Sequence, residues 1–65
     1  MKILVNGAWR EMNARDLGGA LTELGYEHAL VATAVNGEFV PSAQRTATAL
    51  AEGDRLEVLA PMQGG

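Results

Sequence analysis

The chain has 65 residues, 48% of them hydrophobic, a formal net charge of −3 and no cysteine. A domain this short buries only about 60% of its unfolded surface, and an enclosed pocket of roughly 300–1,000 Å³ would consume most of its core, which argues against an independent enzyme and for a carrier or binding module. The acidic balance argues against nucleic acid and anionic membrane, no apolar stretch reaches transmembrane length, and the missing cysteine removes disulfides, thiol nucleophiles and thiolate metal sites.

Lys2-Ile3-Leu4-Val5 opens the chain as an apolar strand, and Asn6-Gly7 follows it. Asn-Gly between apolar runs is the strongest short hairpin signal, because both residues tolerate the positive φ of a type I′ turn. Ala8 to Met12 is then the returning strand. Asn13 is the expected helix cap, with Asp16 as a weak capping-box partner. Leu17, Leu21 and Leu24 share one helical face, and Gly25 closes the helix. Gly18-Gly19 runs against that assignment, since each glycine costs about 1 kcal/mol relative to alanine inside a helix; close approach of helix and sheet is one reason such residues are used. Ala29 to Val35 reads as a strand, Asn36-Gly37 repeats the hairpin signal, and Glu38-Phe39-Val40 returns until Pro41, which cannot donate to a ladder. Ser42 to Ala49 is a turn or short helical piece. Gly53-Asp54 punctuates the chain again before a last alternating strand, Arg55 to Leu59. One sheet must therefore bury a face against one helix, the pattern of a small α+β domain over residues 1–65.

The alternation divides the faces. Ile3, Val5, Leu56 and Val58 point toward Leu17, Leu21 and Leu24. A two-residue loop at Asn6-Gly7 pairs Val5 with Ala8 and Leu4 with Trp9. Leu4, Trp9 and Leu59 then fall on the other face, where one helix cannot cover them, and an uncovered apolar patch is a docking surface. Isolated exposed hydrophobics are also ordinary.

The chain closes on Gly64-Gly65. At average glycine usage two terminal glycines arise in roughly 0.5% of chains; the eight glycines here raise that severalfold and leave it small. An α-carboxylate with a pKa of about 3.3–3.7 is an unreactive anion at neutral pH, so its chemistry requires activation, for example as an acyl-adenylate. Glycines lack a Cβ and suit a narrow active site. The segment from Ala60 to Gly65 spans roughly 20 Å when extended and is expected to be flexible when unbound.

Other candidates are weaker. His28 has no cysteine companions for a metal, and with Ser42 it forms no triad signal. Gly18-Gly19 lacks phosphate-loop spacing and a lysine. Glu52, Asp54 and Glu57 cluster near the last strand as a solvated face or as a steering surface for a basic partner.

The order Asn36-Gly37-Glu38-Phe39-Val40-Pro41, Arg45, Leu50, Gly53-Asp54, an apolar strand and Gly64-Gly65 resembles the thiamine-biosynthesis sulfur carriers, ubiquitin-like proteins of the β-grasp fold. The resemblance implies a mixed sheet packed on one main helix, with the first and last strands parallel; a parallel pair needs a crossover connection. It also implies that an E1-like adenylating enzyme uses ATP to activate the Gly65 carboxylate, with Gly64 as the slender approach. A sulfur donor protein then leaves a thiocarboxylate, and thiazole synthase receives the sulfur. Together with the residue reading above, the expectation is a carrier that binds no cofactor and no metal, acts in the cytoplasm as the default compartment, and presents the uncovered Leu4, Trp9 and Leu59 with Pro61 and Met62 of the tail to its partners. The small subunit of molybdopterin synthase shares the fold and tail, and Pro61 leans that way; the compact length and Asn36-Gly37-Glu38 followed by Pro41 favour the thiamine type. A ubiquitin-like modifier is a third reading, although Lys2 is the sole lysine available for polymer chains.

Overall fold

In the computed structural model, which describes residues 1–26 and 29–60, Asn6 and Gly7 adopt φ of 49° and 84°. These left-handed values are what a type I′ turn demands. They fold β1 (Lys2–Val5) onto β2 (Ala8–Glu11), with Leu4 opposite Trp9 and Val5 opposite Ala8 as the two-residue loop requires. Asn36 and Gly37, at φ 52° and 86°, do the same for β3 (Ala32–Val35) and β4 (Glu38–Val40). β5 (Arg55–Leu59) lies between the two hairpins, giving the order β2-β1-β5-β3-β4. It runs parallel to β1 and antiparallel to β3. β3 begins three residues later than expected, because the Ala29 N–H turns back to the Tyr26 carbonyl and the Val31 carbonyl is taken by Arg45.

The helix α1 (Leu17–Leu24) is capped by Asp16, not Asn13. The Asp16 carboxylate accepts from the Gly19 N–H at 2.8 Å, the usual service of an N-cap side chain. Asn13 does not take that role because α1 begins at Leu17 and Asp16 is the residue before it; Glu23, in the last turn of the helix, accepts from the N–H groups of Asn13 and Ala14 and ties this approach segment to the helix. At the C-terminus Gly25 has φ 91° and donates to Thr22, while Tyr26 donates to Leu21. That pair of bonds is the Schellman pattern.

α1 buries Leu17, Ala20 and Leu21 against Ile3, Val5, Leu56 and Val58 of the sheet; Met12, Val40 and Leu50 complete the core, and Leu24 packs at its margin. A 3-10 helix (Ser42–Ala47) occupies the segment read as turn or short helix. Its Arg45 donates to the Thr33 hydroxyl and the Val31 carbonyl, and Thr33 donates to the Val40 carbonyl. Thr33 is the one buried polar residue among the described residues, and this network satisfies it.

Gly18 is explained by the 3-10 helix and not by the sheet. A Cβ at Gly18 would lie 2.8 Å from Thr46 Cγ2 and 3.3 Å from Asp16 Oδ1. Gly18→Ala therefore sets a propensity gain of about 1 kcal/mol against overpacking of about 1–3 kcal/mol. The single variant is expected to melt lower than the parent, and adding Thr46→Ser, which removes the obstructing methyl, is expected to recover the loss. A thermal melt of the three chains checks this; a Gly18→Ala chain that melts higher would contradict the contact.

Candidate functional site

β5 leads directly into the C-terminal segment, so whatever holds the end of β5 sets the frame from which the tail departs, and whatever holds its start anchors the strand in the sheet. Both turn asparagines hold it. Asn36 accepts from the Arg55 N–H at 3.0 Å and donates to Asp54 at the start of the strand. Asn6 accepts from the Val58 N–H at 2.8 Å and donates to the Val58 carbonyl at 3.0 Å near its end. Asp54 also accepts from the Ala51 N–H, and Glu52 accepts from the Lys2 N–H. Two members of the acidic cluster are thus engaged in backbone bonds, Asp54 within its own turn and Glu52 across to β1, and Glu57 alone of the three lies within the strand.

The sheet face away from α1 carries the expected uncovered residues. Trp9 is 59% and Leu59 is 66% exposed, and Leu4 is half-buried between neighbouring strands. Trp9, Leu4 and Arg55 form one cross-strand row; Glu57, Ala34 and Phe39 form the next; Leu59 faces Ala32 in the last. Arg55 and Glu57 therefore separate Leu4 and Trp9 from Leu59. Leu59 is grouped instead with Phe39, 68% exposed, around a shallow groove of about 120 Å³ that Ala32 and Ala34 also line. Phe39 was missed as a face residue, yet the pairing rule applied at Asn6-Gly7 also places it: a two-residue loop at Asn36-Gly37 puts Phe39 opposite Ala34.

Gly64, Gly65, Pro61 and Met62 lie outside the described residues, as does His28. Ser42 is exposed on the 3-10 helix. Among the described residues no acidic or histidine cluster could hold a metal ion, and no helix is long and apolar enough to cross a membrane. The ThiS family model matches residues 3–65, nearly the whole chain and the diglycine with it.

The chain belongs to the ThiS family. The crystal structure of a thiamine biosynthesis protein, ThiS from Geobacter metallireducens, is similar over 100% of both chains, with 32% sequence identity and a TM-score of 0.81. The α+β mixed sheet on one helix is thus the ubiquitin-like β-grasp arrangement, as the ThiS resemblance implied. No curated protein sequence matches the chain.

Proposed function

We propose that this chain is the sulfur carrier that supplies thiazole formation in thiamine biosynthesis, and that it is a protein cosubstrate, not an enzyme. Its membership of the ThiS family through residue 65 carries this reading, supported by the full-length likeness to a thiamine biosynthesis protein. The reactive group is the Gly65 carboxylate. An E1-like enzyme brings ATP, and a carboxylate oxygen attacks the α-phosphorus and expels pyrophosphate. The outer sulfur of a donor protein's persulfide then displaces AMP at the carbonyl carbon, and a thiol cleaves the resulting acyl disulfide, taking the donor sulfur into a disulfide and leaving a thiocarboxylate that thiazole synthase consumes.

A chain without cysteine carries sulfur in this terminal form or not at all. Thiocarboxylate is a softer nucleophile than carboxylate and stays ionised, and Gly64 keeps the approach narrow. The exposed sheet face, with Leu4 and Trp9 at one side and Leu59 at the other, docks the partners together with Pro61 and Met62 of the tail. ATP belongs to the activating enzyme, the carrier holds no cofactor, and the cytoplasm is the compartment where these partners meet it.

The acceptor decides the pathway, because thiazole synthase and molybdopterin synthase would both receive the same thiocarboxylate. A few central contacts carry most of an interface's energy, so the docking face and not the tail selects between them. Deleting the gene is expected to create a thiazole requirement, and the thiocarboxylated protein is expected to support thiazole formation with thiazole synthase. Loss of molybdoenzyme activity with thiamine-free growth intact would assign the chain to molybdopterin synthase instead. Recovery of the chain covalently joined to other proteins, with neither pathway affected, would make it a modifier.

A further inference from the structure

We propose that Asn6 is a positioning residue for the reactive end of the chain: its carboxamide fixes the place where β5 stops and the tail begins. This role rests on the carrier reading above. β1 pairs with β5 only as far as Val5 and Leu56, and the Asn6 N–H makes the last main-chain bond of that ladder, to the Leu56 carbonyl at 2.9 Å. The chain then turns at Asn6-Gly7 toward β2, so Val58 has no main-chain neighbour on that side. The carboxamide supplies one. Its oxygen accepts from the Val58 N–H and its nitrogen donates to the Val58 carbonyl, the two bonds a peptide unit of a continuing strand would make.

The left-handed φ of 49° at Asn6 serves both ends of this arrangement. Asparagine is among the few residues with a side chain that tolerate that backbone region, and its carboxamide is both donor and acceptor. Glycine meets the first demand without the second, and aspartate meets the first while losing the donor. Val58 lies opposite Thr33 of β3, but its N–H and carbonyl both point to the Asn6 side, so the carboxamide is the partner of both its main-chain groups. Seven residues follow it to Gly65, a reach of about 23–25 Å when extended. Removing the carboxamide leaves the Val58 main chain without a partner and only β3 holding this end of the strand, which lets it fray, so that a docked carrier delivers its carboxylate to the activating site less often in a reactive geometry.

Asn36 supplies the matched control. It sits in the same turn type, has the same left-handed backbone and bonds to β5 at Arg55, the end remote from the tail. ATP–pyrophosphate exchange by the activating enzyme, measured against the concentration of full-length Asn6→Gly, Asn36→Gly and parent chains, separates position from stability. Misplacement of a reacting group by about 1 Å costs up to roughly a hundredfold in rate, so Asn6→Gly is expected to lower kcat about tenfold or more. KM for the carrier should stay within about twofold, because the docking face is intact. Asn36→Gly should lower the melting temperature comparably and leave kcat unchanged, and Asn6→Asp should fall between Asn6→Gly and the parent, which provides the test if Asn6→Gly folds poorly. Hydrogen exchange at the Val58 amide should quicken in both Asn6 variants. Equal kcat in Asn6→Gly and parent, or an equal drop in Asn36→Gly, overturns the positioning role while leaving the carrier reading standing. Absence of exchange with the parent chain overturns the carrier reading, and this role with it.

Discussion

Extending the chain by one residue beyond Gly65, or deleting Gly65, is expected to abolish ATP–pyrophosphate exchange with the activating enzyme and to leave the melting temperature unchanged. The two halves of this expectation come from different parts of the chain. The reacting atoms are those of the last carboxylate, and one residue moves them by about 3.3–3.6 Å along an extended backbone. That is several times the displacement of about 1 Å that already costs up to roughly a hundredfold. An added residue also turns the Gly65 carboxylate into an amide, whose single uncharged oxygen is a far poorer nucleophile toward phosphorus than a carboxylate. Stability is expected to be untouched because every core residue among the described residues, from Ile3 to Val58, precedes the tail. Exchange that persists with the terminus blocked would sink the carrier reading.

Along β5, Leu56→Ala and Leu59→Glu are expected to fail in opposite ways. Leu56 is fully buried, and truncating such a leucine costs about 2–5 kcal/mol through lost transfer energy and the cavity left behind. At roughly 0.05–0.15 kcal/mol per residue, a domain this size holds only about 3–10 kcal/mol in total. Leu56→Ala should therefore leave a large unfolded population at growth temperature. Leu59 lies three residues on, facing outward, where a surface substitution changes stability by about 0.5 kcal/mol or less. Leu59→Glu places a carboxylate beside Glu57 on the proposed docking face. It should weaken binding to the activating enzyme about tenfold or more, a loss typical of one residue central to an interface. Melting and titration calorimetry read the two effects separately. Collapse of the fold in Leu59→Glu would contradict the assignment of faces, and unaltered binding would remove Leu59 from the docking surface.

The parts of the fold legible in the sequence are those written in local rules. Asn6-Gly7 and Asn36-Gly37 specify two-residue turns, turns specify register, and register assigns Leu4 to Trp9 and the buried row of Ile3, Val5, Leu56 and Val58. The bounds of β5 follow from alternation alone. What escaped depends on pairs distant along the chain. Glu23 binds the N–H groups of Asn13 and Ala14, and no spacing rule shows that this carboxylate ties the segment before the helix to its last turn, with Asp16 and not Asn13 left at the cap. Gly18 is required by Thr46, and Arg45 by Thr33 and Val31, in contacts that exist only once the 3-10 helix has docked. Of the candidate site, the outward faces of Trp9 and Leu59 were legible. Their separation by Arg55 and Glu57 was not, because it depends on the parallel register of β1 with β5.

That parallel register also has a practical side. Lys2 enters β1 beside Gly53, at the end of the sheet where β5 starts, and β5 then travels five residues away from it, about 16 Å at the usual strand rise. The only lysine of the chain and the last described residues therefore sit at opposite ends of the β1–β5 pair. A label, bead or sensor surface coupled through the Lys2 amine would orient the molecules alike, with the end that leads to Gly65 turned toward solution.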